Sequence, residues 1–173
     1  MCTIRTIIVV PYDENWIIEF KKIKDEVLSV ICDDIISFEH IGSTSVPGLW
    51  AKPIIDINVI VENTKLPLVI EKLFSIGYLH EGNLGIEGRE AFKYSDKPHL
   101  MQHNLYVSTK DSAEYKRHIA FRDYLRSHPL DCIKYSEIKI EMSKKFPHDI
   151  DSYIKGKEPV VREIYQKCGI PLK

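Results

Sequence analysis

The segment that most constrains the fold is PIIDINVIV, residues 53–61, a run of β-branched residues interrupted by Asp56 and Asn58. Such residues favour strands, and a nearly continuous apolar run is typical of a buried central strand. Alternate side chains of a strand point to opposite faces of the sheet. One face of this strand is therefore wholly apolar and belongs to the core, whereas Asp56 and Asn58 lie together on the other face.

The elements predicted around this strand alternate between helical and strand periodicity. Helices are predicted over residues 13–31, with Asp13 as N-cap, and from residue 66 to an end at Gly77, with three more in the C-terminal third. Strands are predicted at SFEHIGS and LMQHNLYVS, and two more in the glycine-rich segment 78–96. This order predicts an α/β (α+β) fold with a mixed β-sheet, flanking helices and a helical C-terminal third.

Length and composition limit the possible partners and compartments. A chain of 173 residues suffices for one well-cored domain, so we expect a single domain over 1–173. Its 24 basic and 25 acidic residues give a net charge of −1, and no overall field attracts nucleic acid or an anionic membrane. The apolar run at 7–10 is too short for a secretory signal, and the scattered cysteines show no disulfide or zinc pattern. We expect a cytoplasmic protein without a membrane segment.

The residues before the central strand, GSTS, suit the oxygens of a phosphate group. Gly42 lets the main chain approach a ligand closely. Hydroxyl and backbone donors follow it at Ser43, Thr44 and Ser45, and Lys52 adds a positive charge before the strand. The alternative is a simple turn with no ligand. A P-loop is excluded, because no GxxxxGK[ST] pattern occurs in the chain.

Asp56 is the candidate metal ligand of the central strand. Hard cations such as Mg²⁺ or Mn²⁺ prefer oxygen ligands, typically one or two carboxylates supplemented by phosphates and water. The amide oxygen of Asn58 is then a neutral second ligand. The alternative is that Asp56 pairs with a neighbouring lysine or arginine.

These residues resemble the GrpB family of bacterial proteins, which is similar to the polymerase-beta-like nucleotidyltransferase superfamily. The resemblance extends over essentially the whole chain in the right order. It is carried by five segments, which are VPYDENW, HIGSTSVPGLWAKPIIDINV, GIEGREAF, HNLYV and EYKRHIAFRDYLRSHP.

The resemblance implies roles for individual positions. Gly42 and Ser43 correspond to the Gly-Ser that holds a triphosphate, and Asp56 and Asn58 to an acidic pair that binds two metal ions. Asn58 departs from that pattern. A third carboxylate is expected on the strand LMQHNLYVS, which offers only neutral candidates, Gln102, His103, Asn104 and Tyr106. Either one metal is used, with His103 as an unusual catalytic partner, or nucleotides are bound without transfer. Three glutamates, Glu39, Glu87 and Glu90, are possible surrogates.

Two arginines are candidate phosphate ligands outside this stretch. On the predicted helix from Ser112, Arg122 shares a stripe with His118 and Arg126, and guanidinium groups bind phosphates bidentately. Arg89, in the glycine-rich segment, could close over a substrate. The alternative for Arg122 is a solvated basic face with Asp123 as a local partner.

Three functions remain open from the sequence. The first is a metal-dependent nucleotidyltransferase that uses an NTP and an unknown acceptor. The second is a module that binds a nucleotide or phosphorylated small molecule without catalysis, and the third is an interaction protein with a vestigial site. The near-neutral charge argues against extended nucleic acid binding in all three.

Overall fold

The computed structural model describes residues 6–171 and contains a five-stranded mixed sheet. The strands are β1 (Ser37–Ile41), β2 (Ile55–Val61), β3 (Leu79–Gly82), β4 (Arg89–Lys93) and β5 (His103–Thr109). Their order across the sheet is β1-β2-β5-β4-β3. β2 pairs antiparallel with β1 and parallel with β5, and the remaining pairs are antiparallel. The predicted central strand and the mixed sheet are confirmed.

Five α-helices flank the sheet within the described residues. They are α1 (Asn15–Ile31), α2 (Leu66–Ser75), α3 (Ala113–Ser127), α4 (Pro129–Lys145) and α5 (Ile150–Lys167). The Asp13 carboxylate accepts a hydrogen bond of 2.9 Å from the Asn15 N–H at the start of α1, close to its predicted capping position. Between residues 6 and 171 no helix is both long enough and apolar enough to cross a membrane.

The apolar face of β2 forms the main core with α1 and α2. The alternation predicted for this strand is confirmed. The buried residues of this core include Ile55, Ile57, Val59 and Val61 of β2, Ile23, Val27 and Ile31 of α1, and Val69 and Leu73 of α2. Since the apolar side chains of β2 face these two helices, its polar side chains face the C-terminal helices.

A second core joins the loop after β1 to the C-terminal helices. Val46 and Leu49 are buried at 1% and 0% exposure. They pack against side chains from all three helices, namely Leu125 of α3, Cys132 and Tyr135 of α4, and Ile164 of α5. The VPGL segment of the loop is thus an apolar anchor that holds the helical third over the end of β1.

Polar contacts fix the same loop to the helices. The Arg126 guanidinium on α3 donates hydrogen bonds of 2.7 and 3.0 Å to the Ser45 carbonyl. The Trp50 N–H donates to the Ser136 hydroxyl on α4 at 3.1 Å. Before α1, Val10 forms an isolated bridge with Ala51, and residues 7–9 belong to no strand.

We predict that Asp34→Asn destabilises the protein in a pH-dependent way. Asp34 lies after α1 and accepts hydrogen bonds from Lys65 at 2.7 Å and Lys72 at 2.6 Å. These lysine hydrogen bonds lower the pKa of Asp34. The stabilisation is therefore full above the unfolded-state pKa of about 3.9 and is lost as the pH falls through the folded value.

Urea unfolding of the wild type and Asp34→Asn at pH 7 and near pH 2 measures this difference. The matched control is Asp33→Asn, which alters the exposed neighbouring carboxylate. A stability difference that is equal at both pH values contradicts the prediction.

Candidate functional site

Gly42 lies directly against Asp56 where β1 ends. Ile41, the last residue of β1, is opposite Asp56 in the register of β1 and β2. Gly42 has φ +69° and ψ −170°, a conformation that is essentially restricted to glycine. A Cβ at Gly42 would lie 2.4 Å from the Asp56 Oδ2 atom. The structure thus brings the start of the GSTS turn to the carboxylate of the central strand.

Two of the three predicted hydroxyl ligands are used inside the turn. The Ser45 hydroxyl donates to the Gly42 carbonyl at 2.6 Å, and the Thr44 hydroxyl lies 3.0 Å from the His40 Nε2 atom. Thr44 and Ser45 are also buried, at 1% and 4% exposure. Ser43 keeps partial exposure and lies close enough to Tyr135 of α4 to interact with it. Only Gly42 and Ser43 of the turn therefore remain available to a ligand.

Asp56 and Asn58 share a strand face but differ in accessibility. Asp56 is partly exposed, and its Oδ1 atom accepts a hydrogen bond of 2.7 Å from the Asn104 amide on β5. Burial, the largest effect, raises the pKa of Asp56. Asn58 is 0% exposed, and neither of its amide atoms has a hydrogen-bond partner. Asn58 is consequently buried, whereas Asp56 on the same face is accessible to solvent.

Lys139 of α4 is a buried amine close to this carboxylate. It is 3% exposed, and its Nζ atom has no hydrogen-bond partner and lies 5.0 Å from the centre of the Tyr135 ring. Burial lowers the pKa of Lys139 well below its usual value, and the nearby charge of Asp56 only partly offsets this effect. An unpaired buried ammonium is unfavourable unless a counter-charge reaches it.

Two further lysines lie near the same carboxylate. Lys157 of α5 has its Nζ atom 4.2 Å from the centre of the Tyr153 ring, and Lys52 has its Nζ atom 5.8 Å from that ring. Burial and then repulsion from Lys52 lower the pKa of Lys157 to about 8, against the attraction of Asp56. The three amines Lys52, Lys139 and Lys157 are called the lysine cluster below. One carboxylate, Asp56, interacts with all three members.

The structure separates His103 from the site, which corrects its predicted catalytic role. Asn104 shares the face of Asp56, so the preceding residue His103 points to the opposite, core-facing side of β5. Its Nε2 atom lies 2.8 Å from the Tyr78 hydroxyl. Its ring stacks on Tyr94 with centroids 4.2 Å apart. His103 is thus a structural residue of the core layer.

Arg122 links α3 to β1 through its guanidinium group. Its Nη1 atom donates to Glu39 at 2.8 Å and to the His40 carbonyl at 3.1 Å. Its Nε atom donates to Asp123 at 2.7 Å. The predicted phosphate clamp at Arg122 is therefore corrected to a structural ion pair, and Glu39, a possible surrogate acid, is occupied by the same contact.

Arg89 lies at the start of β4, on the same face of the sheet as Asp56. Its guanidinium carbon is 4.5 Å from the centre of the Tyr106 ring, and its Nε atom has no hydrogen-bond partner. In the sheet register Tyr106 is opposite Asn58. Arg89 therefore remains a candidate cationic ligand on the sheet face that carries Asp56, two strands away from β2.

The residues present do not fit a two-metal centre. Within residues 6–171 no group of three or more histidine, cysteine, aspartate or glutamate side chains could hold a metal ion. Two-metal sites depend on concentrated negative charge to hold both ions about 3.5 to 4 Å apart. Here one partly exposed carboxylate, already bound by an amide, lies among three lysines. The donor set favours anions over a pair of cations.

Comparison with known proteins identifies the family. The family model described as GrpB protein matches residues 6–167. The chain belongs to the GrpB family. A similar relative is the glutamate-rich protein GrpB of Alkalihalophilus pseudofirmus, which is 36% identical over 162 residues, with 91% of this chain and 93% of the relative covered.

Solved structures support the same fold. GrpB from Enterococcus faecalis has a TM-score of 0.78 and 34% identity, covering 92% of this chain and 98% of its own. The Cid1 poly(U) polymerase, solved with MgGTP bound, has a TM-score of 0.51 and 10% identity, covering 79% of this chain and 43% of that polymerase chain. The second likeness shows that this GrpB-family chain has a nucleotidyltransferase-like fold.

Of the lysine cluster, the sequence predicts Lys52 as a ligand-binding residue but not Lys139 or Lys157. The buried positions of α4 follow one helical stripe, which contains Cys132, Tyr135, Ser136, Lys139 and Met142. A lysine on that stripe is the signal in the sequence, because a core-facing lysine requires a partner or a ligand. No comparable signal marks Lys157, whose approach to Asp56 depends on the packing of α5.

We predict that Gly42→Ala costs more stability than Gly48→Ala. Both glycines have positive φ, +69° and +82°, but only at Gly42 would the new methyl group meet Asp56. The strain common to both sites is about 1 to 2 kcal/mol, and the clash adds to it at Gly42. Equilibrium unfolding in urea measures both losses, and equal losses contradict the packing of Gly42 on Asp56.

We predict that Lys139→Met stabilises the unliganded protein. Methionine keeps the length of the side chain and removes a buried donor without a partner, which costs about 1 to 3 kcal/mol. The control is Lys144→Met, which changes an exposed lysine on the same helix and should alter stability by less than about 0.5 kcal/mol. A destabilised Lys139→Met variant would show that the amine has a structural partner.

Proposed function

We propose that this GrpB-family protein binds the phosphate chain of a nucleotide or phosphorylated small molecule between Gly42, Ser43 and the lysine cluster. The observation that carries the proposal is the approach of three amines to one carboxylate, with Lys139 buried and without a hydrogen-bond partner. A ligand with several negative charges supplies the missing counter-charge.

The magnitude of like-charge repulsion supports this assignment. Two unit charges about 6 Å apart repel by about 3 kcal/mol at an effective dielectric constant of about 20. Burial, and then repulsion among the amines, lowers the pKa values of Lys139 and Lys157, and the single Asp56 carboxylate offsets this only in part. Binding of a polyphosphate converts this repulsion into attraction, and the gain appears as affinity.

The turn after β1 contributes a surface that phosphates can approach. Gly42 is exposed and has no side chain, and the adjacent Ser43 is partly exposed with a hydroxyl at its tip. The loop that contains the turn is fixed to the helices by the hydrogen bonds from Arg126 to the Ser45 carbonyl and from the Trp50 N–H to Ser136 of α4. Rigid donors lose little entropy when the ligand binds.

A nucleotide is the first ligand to test because of the fold. The similar poly(U) polymerase structure is described as bound to MgGTP, and we extend nucleotide binding to this chain as part of the proposal. The partly exposed aromatic Tyr106, with Arg89 over its ring, lies on the same face and offers contacts beyond the phosphates.

Nucleotidyl transfer with Mg²⁺ or Mn²⁺ at Asp56 and Asn58 is the second candidate. The close approach of Gly42 to Asp56 favours nucleotidyl transfer, because the family resemblance implies a triphosphate at Gly42 and Ser43 and a metal ion at Asp56. The lysines around Asp56 and the burial of Asn58 favour binding over transfer. Incubation with the four NTPs and Mn²⁺, followed by a pyrophosphate-release assay, separates the two candidates, since release supports transfer.

We predict that Lys157→Met weakens nucleotide binding whereas Lys155→Met does not. Both lysines lie on α5, but Lys155 is exposed to solvent, whereas Lys157 is partly buried and interacts with Asp56. Loss of one hydrogen bond to a charged ligand should cost about 1.5 to 3 kcal/mol of binding free energy.

Thermal-shift screening of ATP, GTP, CTP and UTP, followed by calorimetric titration, tests this prediction. A ligand present at 100 times its Kd stabilises the folded protein by about 2.7 kcal/mol, which is readily measured. The proposal fails if no nucleotide or polyphosphate binds, or if the two variants lose affinity equally.

A further inference from the structure

We propose that the ammonium groups of Lys139 and Lys157 take the place of the divalent cations in a two-metal site, so that polyphosphate binds here without a metal ion. This inference rests on the proposed phosphate-binding function and specifies its chemistry. The bound ligand is then a metal-free polyphosphate, carried by a nucleotide or present as the inorganic chain.

The sheet carries fewer negative charges than the family resemblance implies. The family resemblance implies three carboxylates, two on β2 and one on the neighbouring strand β5. In this chain Asn58 occupies the second position on β2, and the residue of β5 opposite Asp56 is Asn104. The Asn104 amide donates a hydrogen bond to Asp56, where a carboxylate would repel it. Asp56 is thus the one anion that remains of the three.

The helices that face Asp56 carry amines in fixed positions. Lys139 is held by burial on the core-facing stripe of α4. Lys157 follows Gly156, where α5 packs so closely on α4 that an added Cβ would lie 2.1 Å from the Met142 Sδ atom. Both amines therefore stand on closely packed helices, as pre-organised charges rather than mobile surface groups.

The two changes act in the same direction. Removing two carboxylates weakens the attraction for cations, and adding two amines strengthens the attraction for anions. An ammonium group neutralises phosphate charge and donates hydrogen bonds, but it has no open coordination position with which to activate a hydroxyl group. The site is consequently suited to holding a polyphosphate and poorly suited to transferring part of it.

Substitution of Asp56 distinguishes metal-dependent from metal-free binding, because the two predict opposite changes in affinity for the ligand. If Asp56 holds a metal, Asp56→Asn abolishes metal-dependent binding. If the lysines hold the phosphates directly, the Asp56 carboxylate repels the ligand, and Asp56→Asn tightens binding. Asparagine keeps the oxygen that accepts the hydrogen bond from Asn104, so the fold tolerates the change.

The experiment is calorimetric titration with ATP and with inorganic tripolyphosphate, each in EDTA and in Mg²⁺. We expect the wild type to bind in EDTA at least as tightly as in Mg²⁺, and Asp56→Asn to bind several-fold more tightly. Lys139→Met should weaken binding about tenfold or more without lowering its melting temperature, while the exposed control Lys144→Met matches the wild type. Equal affinities for the two ligands support recognition of the phosphates alone, and tighter binding of ATP supports a nucleotide ligand.

Two results overturn the inference, and they differ in what they leave standing. Binding that requires Mg²⁺ and is lost in Asp56→Asn contradicts metal-free binding but leaves the proposed phosphate-binding function intact. No binding of either ligand in either buffer overturns the proposed function as well.

Discussion

Burial of Val46 and Leu49 among the C-terminal helices determines the geometry of the candidate site. These two side chains belong to the loop between the polar end of β1 and the central strand β2, and they are almost completely removed from solvent. Fully burying aliphatic side chains of this size contributes about 1.5 to 3 kcal/mol each. Because the loop is anchored in this way, α4 and α5 lie over the face of the sheet that carries Asp56, and their lysines point towards it.

The resulting site differs in charge from the metal-binding centre that the family resemblance implies. Gly42 meets Asp56 where β1 ends, so the turn and the carboxylate lie together. The charges are not kept, because amides stand at Asn58 and Asn104 and amines stand at Lys139 and Lys157. Similarity of fold does not by itself imply similarity of chemistry.

The sequence predicted the fold because its periodicities are strong. The β-branched run of β2 and the apolar spacing of α1 define their own faces, and the alternation of β2 places Asp56 and Asn58 on one side. Local sequence patterns could not predict which polar side chains would be hydrogen-bonded to other residues of the protein. The hydroxyls of Thr44 and Ser45, the ring of His103 and the guanidinium of Arg122 all have partners that depend on tertiary packing.

The central claim is that a polyphosphate binds to the lysine cluster beside Gly42. A crystal structure of the protein grown with ATP in the presence of EDTA tests this claim most directly. The account predicts phosphate oxygens within about 3 Å of the Nζ atoms of Lys139 and Lys157. A triphosphate bound elsewhere on the protein, with these two amines still unpaired, would contradict it.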